Sequence, residues 1–269
     1  MVSRRKSALQ WSSAASRRLR ELAGSVELIG DAVQVVVGRL MLDVSCPPTD
    51  LEALGRLVNV RRFVAEPLPV SGELRREDGG FVVAFSSYLS PGRRKFTIAH
   101  EIAHAIFETS GPNCPRSGEE LERLCDMIAT EILMPKDVFL KACNYPDVLS
   151  LAKVCELPKL FQTSLSATAL RCVELLGVSI LELDGGAVAW SYGAVRKAHA
   201  ESPAADDLRA AIHNSQRRQE FDDRIYFSTE RTGPMWWQFE SKMLGKDRYL
   251  ILLRALGKRP PEPEVIIPI

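Results

Sequence analysis

Lys95-Phe96-Thr97-Ile98-Ala99-His100-Glu101-Ile102-Ala103-His104-Ala105-Ile106-Phe107-Glu108-Thr109 is the stretch on which the reading of this chain turns. Its apolar residues Ile98, Ile102, Ala105, Ile106 and Phe107 form a stripe at helical spacing, which predicts a core-facing helix. That helix would also bury His100, Glu101 and His104, which is costly unless something satisfies all three. A metal ion does so. His100 and His104 stand at i and i+4, so both rings project from one helix face and can grip a single ion. Glu101 follows the first histidine directly, where its carboxylate reaches a metal-bound water rather than the metal and serves as general base. The H-E-x-x-H spacing is that of zinc metallopeptidase sites.

Working outward, Gly111-Pro112-Asn113-Cys114-Pro115 breaks this helix, and Ser117-Gly118-Glu119-Glu120 starts another. Its apolar positions Leu121, Leu124, Ile128, Ile132 and Leu133 keep helical spacing until Pro135 ends it. A catalytic zinc takes three protein ligands and an open position, so the third ligand is expected here. Glu122 is the candidate. Asp126, one turn on, is placed to accept the other ring N–H of a zinc histidine and fix its tautomer. Glu119 and Glu120 compete as ligands, but carboxylates at a helix start are already explained by the helix dipole. Two histidines and one carboxylate assign zinc from ligand type, and the same set also suits Mn or Fe.

Upstream, Pro48-Thr49-Asp50 caps a short helix through Val58, and Val60 to Ala65, Gly72 to Arg76 and Phe81 to Ser86 read as strands. The last of these, leading into the metal helix, is the candidate edge for an extended substrate. Tyr88 is a candidate transition-state or substrate contact, set against the commoner role of a packed or exposed aromatic near a turn.

Composition bounds the remaining choices. With 269 residues, 46% of them hydrophobic, and a net charge of +1, the chain has the makeup of an ordinary globular protein with room for an enzyme domain and a smaller one. Cys46, Cys114, Cys125, Cys143, Cys155 and Cys172 contain no C-x-x-C pair, so reduced thiols in a cytoplasmic protein are expected rather than a disulfide framework or zinc ribbon. Val26 to Val44 is interrupted by Glu27, Asp31, Arg39 and Asp43, so neither secretion nor membrane insertion is expected. The first 20 residues lack acids and carry Arg4, Arg5, Lys6, Arg17, Arg18 and Arg20. That composition resembles an organelle transit peptide as well as a basic arm contacting a partner or nucleic acid, and a solvated helical face is the favoured reading.

The box, followed by Glu122-x-x-x-Asp126-x-x-Ala129-x-Glu131-Ile132-Leu133-Met134-Pro135, resembles the ImmA/IrrE metallopeptidases. The resemblance covers Pro47 to Val138, with Ile128 standing where the family often carries Phe. It implies a mainly helical, gluzincin-like α+β domain with a three-stranded sheet, cutting a helix-turn-helix transcriptional repressor at one site. Phage or mobile-element induction and damage or stress responses are the settings it implies. No repressor-like helix-turn-helix precedes the domain, so the substrate is expected to be a separate chain.

The expected organisation is a basic helical segment 1–45, a peptidase domain 46–145, a helical segment 146–184 and a C-terminal α+β domain 185–269. Helices are expected over Val148 to Cys155 and Leu165 to Leu176, with Gly177 as C-cap before a strand over Val178 to Leu183. This helix pair imitates a helix-turn-helix, but few Lys or Arg lie on its second helix, so packing is the favoured role. Further strands are expected over Ala187 to Tyr192, Ile225 to Ser228 and Tyr249 to Ala255, with a charged helix around Asp206 to Glu220. Some family members carry a GAF-like sensory domain here, and that implication is analogy. Trp236 and Trp237 either line a pocket or anchor a core and an edge. Pro260-Pro261-Glu262-Pro263 reads as an extended tail, and His199 and His213 as solvated. Two function classes remain: an endopeptidase of a regulator, and a zinc-bearing protein that binds and releases a repressor without cutting. The intact Glu101 favours the first.

Overall fold

The computed structural model describes residues 13–24, 26–109, 118–195, 206–215, 220–229 and 232–258. Arg4, Arg5, Lys6, Cys114, His199 and the proline-rich end lie outside them. The chain is α+β and divides into two compact units, Met1–Ala142 with Pro158–Ser164, and Cys143–Leu157 with Leu165–Ile269. Helices α1 (Ala14–Ala23) and α2 (Ile29–Leu40) bury Leu19, Val33, Val36 and Val37, and both pack on α5 (Glu119–Leu133) within the first unit. No helix among the described residues is long and apolar enough to cross a membrane.

In the first unit, Asp50 caps α3 (Leu51–Leu57) through the N–H groups of Glu52 and Ala53. Three strands follow, β1 (Val60–Glu66), β2 (Gly72–Glu77) and β3 (Gly80–Ser86). Their order is β1-β3-β2, with β3 parallel to β1 and antiparallel to β2. The expectation that Phe81 to Ser86 offers its edge is therefore overturned. β3 is the central strand, buried from Phe81 to Ser86 and paired on both sides. β2, with Glu73, Arg75, Arg76 and Glu77, carries the charges typical of an edge.

Helix α4 (Pro91–Thr109) starts with proline in its first turn, where the missing N–H costs no helical bond. It packs on α5, and Ala99, Ile102, Ala103 and Ile106 of α4 and Leu124, Cys125, Ile128 and Ala129 of α5 are all buried. Beyond α5, the buried Glu131 carboxylate accepts the Lys136 N–H at 2.8 Å and so caps α6 (Lys136–Ala142). Thr49 donates to the Ile132 carbonyl at 2.7 Å, holding the start of α3 to the end of α5.

In the second unit, β4 (Ser179–Asp184), β5 (Ala187–Tyr192), β6 (Glu220–Thr229), β7 (Gly233–Gly245) and β8 (Arg248–Gly257) form an antiparallel sheet of order β5-β4-β8-β7-β6. Helix α9 (Asp206–Ser215) packs on β6 and β7, and its Leu208 and Ala211 join a core with Leu181, Ile225, Trp237, Phe239 and Ile251. The charged helix therefore ends earlier than expected, and Glu220 begins a strand. Helix α7 (Leu151–Phe161) also outlasts its expected end at Cys155, running through Pro158. On α8 (Leu165–Leu176) the only basic residue, Arg171, is buried, so the helix has no basic footprint with which to read DNA.

Candidate metal centre

One face of α4 and one turn of α5 meet at a cleft of about 410 Å³. His100 and His104 supply adjacent rings from α4, and Glu122 reaches them from α5. The Nε2 atoms of the two histidines lie 3.2 Å apart. Glu122 Oε2 lies 3.1 Å from His100 Nε2, and its Oε1 lies 3.4 Å from His104 Nε2. Zinc bonds of about 2.0–2.1 Å at tetrahedral angles hold neighbouring donor atoms about 3.3 Å apart. The three side chains therefore fit a metal ion.

Hydrogen-bond bookkeeping points the same way. His100 Nδ1 lies 2.9 Å from Asp126 Oδ1, and an ionised carboxylate only accepts, so Nδ1 carries the hydrogen. The His100 Nε2 then faces the Glu122 carboxylate and the His104 ring, and a cation among them, whether a proton on Nε2 or a metal ion, satisfies these groups. Burial lowers the His100 pKa, but the Asp126 bond and the Glu101, Asp126 and Glu122 charges outweigh it, so the net shift is upward. His104 is shifted down by burial and by His100. Asp126→Ala should weaken zinc binding by about 10–100-fold, because the ring it orients loses its second hydrogen bond. Competition with a chromophoric chelator measures this, and unchanged affinity would contradict it.

Glu101 is buried and lines the same cleft, outside the group of converging donors. Burial pushes its carboxyl up to about 7; Glu122 and Glu73 push the same way, while His100 and the Leu74 backbone N–H oppose them. A cation held by the neighbouring ligands would draw that value down. Gly72 explains how the carboxylate fits. A Cβ on Gly72 would stand 2.4 Å from Thr97 Cγ2 and 3.2 Å from Glu101 Oε1. We expect Gly72→Ala to cost about 1–3 kcal/mol by overpacking β2 against α4. Urea unfolding checks this, and an unchanged midpoint would refute that packing.

Glu119 and Glu120 lie outside both the cleft lining and the converging donors. Tyr88 is 80% exposed and also outside the lining, so the structure does not bring it to the site. His213 is exposed on α9. The sequence reading missed Ser71, Gly72, Glu73 and Leu74 at β2, and Arg93, Phe96, Thr97 and Glu108 on α4, all of which line the cleft. The α4 residues share the helical spacing of the histidines, a signal that could have found them. The β2 residues carried no such signal, because strand order does not show in periodicity.

Residues 52–173 match the model of a peptidase family described as the IrrE N-terminal-like domain. No curated protein sequence matches the chain. A solved structure titled "Mycobacterium tuberculosis transcriptional regulator" is similar at 14% identity, over 83% of this chain and 75% of that one, with a TM-score of 0.47.

Proposed function

The chain belongs, through residues 52–173, to the ImmA/IrrE metallopeptidases, and from that premise we propose that it is a zinc-dependent endopeptidase cutting one bond of a helix-turn-helix repressor. The convergence of His100, His104 and Glu122 beside the buried Glu101 carries this reading. His100, His104 and Glu122 would hold the ion, and Asp126 would orient His100. When bound, a divalent ion supplies Lewis acidity, polarising a carbonyl and acidifying water.

The chain's own residues do the rest. Glu101 accepts a proton from the attacking water at a carboxylate oxygen and passes it to the amide nitrogen as the peptide bond breaks. The products are a carboxylate and an amine. The Ser86 N–H donates to the Ser71 carbonyl, so by antiparallel alternation Gly72, Leu74 and Arg76 turn their peptide groups away from β3. One of these groups, the Leu74 N–H, bonds Glu101. An extended peptide added along this edge would pass the general base.

The C-terminal α+β unit would then supply a signal, a GAF-like sensory role that rests on family analogy alone. Cutting the repressor would induce a stress or mobile-element regulon in the cytoplasm. Co-incubation with repressors encoded nearby, read by mass, tests the reading with wild type, Glu101→Gln and a chelated sample. Two new fragments from wild type alone are expected. Repressor released from its DNA without fragments would overturn the peptidase reading in favour of a non-proteolytic binder.

A further inference from the structure

The first turn of α4 carries Arg93 and Arg94 and no acidic residue, and Lys95 follows directly. Three cations at the positive end of a helix dipole oppose helix stability, so their presence calls for another use. Two of them have one. Arg94 lies over the Phe85 ring, 5.6 Å from its centroid, and the Lys95 ammonium donates to Gln162 Oε1. Arg93 is exposed, lines the same cleft as the metal site, and among the described residues has no hydrogen bond or ion pair.

The acids of the cleft do not answer it. Glu108 pairs with Arg76, and Glu73 pairs with Arg75. Glu122 and Asp126 face the histidines, and Glu101 accepts from Leu74. Arg93 is thus the charge in this cleft left unanswered by any described residue. It stands seven residues before His100, about 10 Å along the helix axis. At about 3.3 Å per residue, an extended peptide covers that distance in about three residues.

We infer that Arg93 selects substrates carrying an Asp or Glu about three residues from the scissile bond, on the side that runs toward the start of α4; this rests on the peptidase reading above. A guanidinium grips a carboxylate through two parallel hydrogen bonds, which lysine cannot reproduce. The other cations of the helix start add long-range attraction of the same sign.

The test uses the full-length, zinc-loaded chain and a randomised pool of peptides about ten residues long, with cut sites read by mass. Wild type should enrich Asp and Glu about three residues from the cut, on one side only. Arg93→Glu should replace that preference with Lys and Arg, and should lower kcat/KM for an acidic peptide about tenfold, mainly through KM. A binding readout stands beside it. Affinity of a fluorescent acidic peptide for Glu101→Gln should fall about tenfold when Arg93→Ala is added, and the difference should shrink at high salt. Cutting with the same preference in wild type and Arg93→Glu would overturn the inference and leave the peptidase reading standing. Failure of wild type to cut any peptide and any of the nearby repressors would overturn both.

Discussion

Glu101→Gln should lower peptide-bond cleavage by about 10²–10⁴-fold and leave the metal in place. The amide keeps the shape of the carboxylate and can still accept the Leu74 N–H, so the buried position remains satisfied. What it loses is the ability to take a proton from water. Because Glu101 stands outside the converging donors His100, His104 and Glu122, zinc content should match wild type. Retained cleavage would remove Glu101 from the chemistry. Lost zinc would place it among the ligands.

Glu122→Ala and His104→Ala should each weaken zinc binding by more than about 100-fold, beyond the loss expected for the orienting Asp126. Each substitution leaves two donors where a catalytic zinc wants three. The effects should differ on the protein itself. Glu122 is half exposed, 52% for its side chain, so its loss should barely change folding of the metal-free chain. The His104 side chain is 16% exposed and packed beside His100, so its truncation should also cost stability. Chelator competition and zinc stoichiometry read the first effect, and urea unfolding the second. Zinc retained by Glu122→Ala at wild-type stoichiometry and affinity would sink its assignment as third ligand.

The helices were legible in the sequence because helices announce themselves by spacing. Ile98, Ile102 and Ile106 on α4, and Leu121, Leu124, Ile128 and Ile132 on α5, mark faces that pack, and both sets are wholly or partly buried. The same spacing aligned His100 with His104 and Glu122 with Asp126. Glu131 shows a limit of this kind of reading, since its buried cap on Lys136 depends on where α6 begins. Sheet order was not legible. β3 is the most apolar of its three strands and leads into α4, yet that apolarity belongs to a central strand, and the edges are the more charged β1 and β2.

β7 went unread for a related reason. Pro234 and the adjacent Trp236 and Trp237 interrupt its alternation, although Trp237 and Phe239 then point into the core. The two tryptophans divide as a core anchor and an edge partner: Trp237 is 2% exposed, and the Trp236 ring lies 5.3 Å from that of Tyr226. Helix α7 runs past its expected end at Cys155 because Pro158 lies inside it without ending it.

X-ray absorption at the zinc edge of the loaded, full-length chain tests the metal centre most directly. Neighbours of nitrogen and oxygen alone are expected at about 2.0–2.2 Å, with the more distant scattering of two imidazoles. A sulfur neighbour at about 2.3 Å would contradict it, because the ion would then be held by cysteines rather than by His100, His104 and Glu122.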